Sequence, residues 1–225
     1  MPAGGAVTTL RRPVEPPPPE LRARIAEVRE RIAAAEKRSG RSAGSARLVG
    51  VIKTLPNEVV AHAVALGITD LGENRVQEAE QHQQVVARDA ARWHMIGHLQ
   101  RNKARKVVEI CRLIHSVDSL RLAEELQQIA FKRDQPVEVL LQVNCSGEEQ
   151  KHGCAIAAAR HLADQMETMV HVRLRGLMTM AAYSDQPEQA RPTFARLRDL
   201  FEEMRESGAV GPDFNILSMG MSGDF

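Results

Sequence analysis

Val137-Glu138-Val139-Leu140-Leu141-Gln142-Val143-Asn144 holds three successive apolar side chains, Val139-Leu140-Leu141, so both of its faces ask for cover. A strand buried on both faces belongs in a parallel sheet, because βαβ crossovers lay helices over each side. Around this stretch the chain alternates short apolar runs with amphipathic stretches. The runs fall at 47–53, 69–72, 93–97, 113–117, 137–144, 172–178 and 215–219, and helical patterns at roughly 56–66, 75–88, 101–111, 119–132, 155–169 and 187–207. Such alternation predicts right-handed crossovers and parallel pairing. There is no Gly-x-Gly-x-x-Gly fingerprint and no Walker phosphate loop. That favours a TIM-like (β/α)8 barrel over a doubly wound dinucleotide fold.

Upstream, Leu21, Ile25, Val28, Ile32 and Ala35 recur at helical spacing and make one apolar stripe, which Ser39-Gly40 ends. A helix is therefore expected to precede the barrel. Residues 1–18, with Gly4-Gly5 and Pro16-Pro17-Pro18-Pro19, read as a flexible proline-rich arm, and 19–225 as the barrel domain. A closed barrel of this kind has eight strands. Seven runs are present and the chain stops six residues after the last, so the expected barrel lacks its final helix and strand.

Composition narrows the function. Lys and Arg number 30 against 29 Asp and Glu, and aromatics are 3%. Neither a field that attracts nucleic acid nor a set of base-stacking rings is present. No run reaches the length of a membrane span. Three cysteines with no Cys-x-x-Cys pair read as reduced thiols of a cytoplasmic protein.

Barrel chemistry collects where strands end. The first run closes on Val51-Ile52-Lys53-Thr54, just before Pro56. Most lysines are solvated surface charges. Here, a side chain pointing into the mouth would stand over Val49 and Val51, and a partly desolvated amine is a better nucleophile toward an aldehyde. Ser218-Met219-Gly220-Met221-Ser222-Gly223 offers small residues, amides and hydroxyls for an anion. His94 and His98 lie four apart, about 13 Å along a strand, so they cannot share an ion, and no metal site is expected. The run Arg101-Asn102-Lys103-Ala104-Arg105-Lys106 reads as a solvated helix face.

The blocks Leu48-Val49-Gly50-Val51-Ile52-Lys53-Thr54, Leu71-Gly72-Glu73-Asn74-Arg75-Val76-Gln77-Glu78, Trp93-His94-Met95-Ile96-Gly97-His98-Leu99-Gln100 and Ser218-Met219-Gly220-Met221-Ser222 together resemble the signature blocks of the pyridoxal phosphate homeostasis proteins. Gln142-Val143-Asn144, Lys151-x-Gly153 and Arg175-Gly176-Leu177-Met178 follow in the same order. The resemblance implies a barrel like the alanine racemase N-terminal domain, with pyridoxal 5′-phosphate held as a Schiff base on Lys53. Asn74 matches a residue near the cofactor ring. Ser218, Met219 and Gly220 match the phosphate-side loop, and His94 and Met178 line the mouth. Ile52, Leu55 and Arg75 depart from the usual residues without removing the site. The implied role is cofactor homeostasis without turnover, with transient contact to cofactor-dependent enzymes, as a monomer or weak dimer. The alternatives are an amino-acid racemase or decarboxylase, which needs a second proton-transfer group opposite the lysine, and a cofactor-free scaffold.

Overall fold

The computed structural model of the chain describes residues 15–148 and 152–225, so most of the expected arm, and Lys151, lie outside the described residues. Among the described residues there are eight strands and seven α-helices. They fall into two compact units, one ending at His94 and the other beginning at Met95.

The first unit opens with α1 (Pro19–Arg38), which has proline in its first turn and Lys37 and Arg38 in its last, where each suits the helix ends. Then come β1 (Gly50–Val51), α2 (Asn57–Ala65), β2 (Asp70–Glu73), α3 (Val76–His82) and β3 (Arg92–Met95). β1 and β2 pair in parallel, Gly50 opposite Leu71 and Val51 opposite Gly72. The α1 stripe is only half-buried and Ala35 is exposed. The buried residue of α1 is instead Glu36. Its carboxylate accepts hydrogen bonds from the Gly44 and Ala46 amides at 2.9 and 2.7 Å, and so anchors the return of the chain.

Asp70 organises the starting end of β2. The Arg92 guanidinium donates Nε–H to Oδ1 at 2.8 Å and Nη2–H to Oδ2 at 2.6 Å, and the Thr69 hydroxyl donates at 3.0 Å. Burial pushes this carboxyl up, but hydrogen bonds from Arg92, His94 and Thr69 outweigh it and hold the group far below the usual carboxylate range. A folded-state pKa below the unfolded one stabilises the fold above the unfolded value of about 3.9, and that stability is lost as pH falls further. Asp70→Asn is expected to flatten the acid limb of a Tm-against-pH profile and to cost about 3 kcal/mol at neutral pH. An unchanged acid limb in the variant would assign acid sensitivity elsewhere.

The second unit contains α4 (Ala104–Ile110), β4 (Leu113–Val117), α5 (Leu120–Arg133), β5 (Val137–Asn144), β6 (Cys154–Ala155), α6 (Ile156–Glu167), β7 (Val172–Met178), α7 (Arg191–Glu206) and β8 (Ile216–Ser218). Its pairings are parallel, in the order β4, β5, β7, β8, with β6 on the end of β5. Helix faces supply the cover that Val139-Leu140-Leu141 demands. In α5 the buried positions Leu122, Ala123, Leu126, Ile129 and Ala130 share one side, and burying Leu126 alone contributes on the order of 2 kcal/mol.

β4, β5 and β7 have the bounds their sequence predicts. β1 and β8 are shorter than expected, and among the described residues each has a strand on one side only. β6 takes in Ala155, where the expected helix of 155–169 begins, together with Cys154 just before it. It forms because Gly153, at φ +122°, lets the backbone approach where a Cβ would meet Asn144 N at 2.7 Å. Leu113, Leu140 and Met178 pack together with Met180 and Ile216. Strands lie about 4.8 Å apart, so in a flat sheet β4 and β8 would stand roughly 14 Å from each other. Yet His115 Nδ1 of β4 and Ser218 Oγ of β8 share a hydrogen bond of 2.8 Å. The four strands therefore curl around a common interior. No described helix is long and apolar enough to cross a membrane.

Candidate functional site

Lys53 stands at the C-terminal end of β1. Leu55 N–H donates to Ile52 O at 3.1 Å, closing a four-residue turn. Thr54, its third residue, has φ +61° while Lys53 does not share the left-handed region. That is a type II turn, whose third position favours glycine. A β-branched residue there costs on the order of 1–2 kcal/mol, so something must hold it.

The holder is α3. Thr54 N–H donates to Glu78 Oε2 at 3.2 Å, and His82 Nε2–H donates to Leu55 O at 2.9 Å. The other imidazole nitrogen of His82 bonds the buried Glu73 carboxylate at the end of β2. A carbonyl and a carboxylate both accept, so a charged imidazolium, with two N–H groups, satisfies both at once. The hydrogen bond to Glu73 raises the His82 pKa; burial opposes it, and the Leu55 carbonyl and the charge of Glu78 add to the rise. A raised folded-state pKa means this stabilisation is complete below the ordinary value of about 6.5 and is lost as pH climbs through the folded value. His82→Gln is expected to remove that alkaline decline and to speed hydrogen exchange at the Leu55 amide. Unchanged exchange at Leu55 would show that the turn does not depend on His82.

Lys53 follows β1 by two residues and Asn74 directly follows β2, so both predicted residues lie just past the C-terminal ends of adjacent parallel strands. The expected apolar floor differs. Val51 is 45% exposed and Lys53 is exposed as well, because β2 covers β1 on one side only. His94 is buried and its Nε2–H donates to Asp70 Oδ1 at 3.0 Å. Asp70 lies four residues before Asn74, about 13 Å back along the strand, so His94 is directed away from the Lys53 end.

In the second unit, Met178 and Ser218 are register partners on β7 and β8, and Thr179 N–H donates to Ser218 O at 3.0 Å. Met178 belongs to the packed interior, and the Ser218 hydroxyl is fixed by His115. Met219 is 36% exposed and Gly220 takes φ +93°. The Met221 N–H that follows donates to the Asp224 carboxylate. An amide of this loop thus already grips an anionic oxygen, which is the chemistry a phosphate requires. Sequence reasoning missed His82, Glu73, Glu78 and His115. Of these, only His115-Ser116 carries a signal, a polar pair inside an otherwise apolar strand. The thiols are buried, and burial pushes that of Cys154 up to about 12, so they offer no nucleophile.

The family profile described as alanine racemase, N-terminal domain, matches residues 24–225. A pyridoxal phosphate homeostasis protein of Aquifex aeolicus (strain VF5) is 40% identical over 203 residues, 90% of this chain and 88% of that protein. A crystal structure of an unknown protein from Bifidobacterium adolescentis superposes with a TM-score of 0.82 at 39% identity, covering 91% of this chain and 87% of that one. PipY of Synechococcus elongatus PCC7942, solved with PLP bound, gives 0.71 at 34% identity, covering 88% and 90%.

Proposed function

This chain belongs to the pyridoxal phosphate homeostasis protein family, with the α/β TIM-like barrel fold of the alanine racemase N-terminal domain, and we propose that it binds pyridoxal 5′-phosphate as a Schiff base on Lys53. The single observation that carries this reading is the clamped turn, which presents one primary amine at the end of β1, the strand that pairs with the one Asn74 follows. Lys53 Nζ would hold the cofactor, which when bound would supply an aldehyde carbon for the imine, with one water lost. Everything else is done by the chain. Glu78 and His82 hold the turn, Asn74 offers an amide from the end of the neighbouring strand, and Ser218, Met219 and Gly220 offer a hydroxyl and backbone amides to the phosphate.

The role is storage and transfer of the cofactor, without turnover of a substrate. Residues 19–225 act as the one binding domain, a cytoplasmic monomer or weak dimer that meets cofactor-dependent enzymes transiently. Relatives of this chain carry the homeostasis name, and PipY holds PLP in its solved structure. A racemase needs an acid opposite the lysine. The only tyrosine, Tyr183, is 86% exposed and hydrogen-bonds Asp185 at 3.3 Å, which leaves its hydroxyl in water.

Mixing the full chain with pyridoxal 5′-phosphate is expected to replace the absorbance of the free aldehyde with that of an imine. A spectrum equal to the sum of the two separate solutions would overturn the proposal. In a chiral assay, alanine racemisation is expected to stay at the rate of the free cofactor in buffer. Protein-dependent turnover lost in Lys53→Ala would establish the enzyme reading instead.

A further inference from the structure

His98, Asp118 and His152 are remote in sequence and meet in the second unit, with one ligand atom of each lying within 4.8 Å of the others. His98 Nδ1 stands 3.6 Å from Asp118 Oδ2, and the His98 and His152 rings stack at 4.1 Å with an interplanar angle of 11°. We propose that these three side chains form a binding site for a divalent transition-metal ion of the zinc class. The inference is independent of the cofactor reading.

The backbone under each ligand is fixed. Asp118 directly follows β4, and the next residue, Ser119, is the N-cap of α5. His98 precedes the buried Leu99, which pins the loop after β3. His152 is held from behind, since Gln142 Nε2–H donates to its carbonyl at 3.2 Å. Gly153 and the β5–β6 pairing, Val143 opposite Cys154, seat the same segment against β5. The side chains keep the freedom that the backbone lacks, His98 and His152 being exposed and Asp118 partly so.

The donor set selects the ion. A tetrahedral zinc with bonds of about 2.0–2.1 Å needs its ligand atoms roughly 3.4 Å apart. The His98–Asp118 separation already approaches this, and rotation of the exposed His152 ring closes the others. Two imidazoles and one carboxylate suit zinc and its borderline neighbours, and three protein ligands leave a fourth position for water. Calcium and magnesium prefer six or more oxygens. The spacing that forbids a His94–His98 pair is no obstacle, since His94 is committed to Asp70 and His98 finds its partners elsewhere.

The test is calorimetric titration of the full chain with Zn²⁺, repeated with Co²⁺ while recording visible absorption as a report of coordination. One ion per chain is expected to bind. Outer-shell partners alone are worth about 10–100-fold in affinity, so loss of a ligand in His98→Ala or His152→Ala is expected to weaken binding by roughly a hundredfold. Asp118→Asn is expected to weaken it less and to alter the Co²⁺ spectrum. Both histidines are exposed, so these variants are expected to keep the wild-type melting temperature, and His152→Ala alone suffices if His98→Ala does not. Absence of saturable binding in the wild type would overturn the proposal. So would affinity unchanged in His152→Ala, or binding abolished by thiol alkylation and untouched by the histidine variants.

Discussion

Lys53→Ala is expected to lose covalent attachment of pyridoxal 5′-phosphate entirely while folding as the wild type does. No other side chain can supply a primary amine from that turn, so the loss is complete, not graded. Lys53 is exposed and is no part of the buried core. Its truncation should therefore change stability by no more than about 0.5 kcal/mol. Borohydride reduction of the loaded protein followed by peptide mapping reads the result directly, with one reduced pyridoxyl group on Lys53 in the wild type and none in the variant. Lys53→Arg keeps the positive charge without the nucleophile, and should behave as the alanine variant does in this assay. A label on another lysine, such as Lys103, would overturn the assignment.

Gly176→Val should bring the largest loss of stability of any single change considered for the second unit. Gly176 lies in β7 at φ +151°, and a Cβ there would sit 1.8 Å from Ile216 O and 2.9 Å from Ile216 N. Those are backbone atoms of β8, so no side-chain rotation relieves the overlap. Either β8 leaves the sheet or β7 shifts its register. The first loses the pairings of Gly176 with Ile216, Leu177 with Leu217 and Met178 with Ser218, and with them the His115–Ser218 hydrogen bond. A cost of about 4 kcal/mol follows from strained backbone and lost packing together. For a chain of this size that lowers Tm by roughly 8–16 °C. Near-wild-type melting for Gly176→Val would mean that β8 contributes little to the fold.

Much of this was legible in the sequence, for a physical reason. A strand covered by helices carries a dense apolar run, and β4, β5 and β7 announce their bounds that way, although His115-Ser116, Glu138 and Gln142, and Arg173 and Arg175 interrupt the runs. Strands with a neighbour on one side keep the same apolar run, but only part of it finds hydrogen-bond partners. Sequence pattern therefore overstates β1 and β8. Lys53 was readable as a candidate because a lysine closing an apolar run is conspicuous. Its supports were not. Glu73, Glu78 and His82 look like ordinary polar residues of a strand end and a helix, and only the folded chain brings them to the Lys53 turn. The desolvating floor failed for a related cause, since no pattern in Val49-Gly50-Val51 says whether a second strand covers it.

The turn that carries Lys53 also bears on how fast such a protein could trade its cargo. Fixing a free residue costs about 1–2 kcal/mol of conformational entropy. Here that cost falls at folding, because Glu78 and His82 tie the turn from α3. On the proposed reading, an arriving aldehyde would meet a backbone already ordered under Lys53, and no ordering of the loop would be charged against the encounter. The benefit is symmetrical. With no loop to unfold on the way out, dissociation on that reading would be limited by hydrolysis of the imine and release of the phosphate contacts. A depot built this way can fill and empty without changing shape.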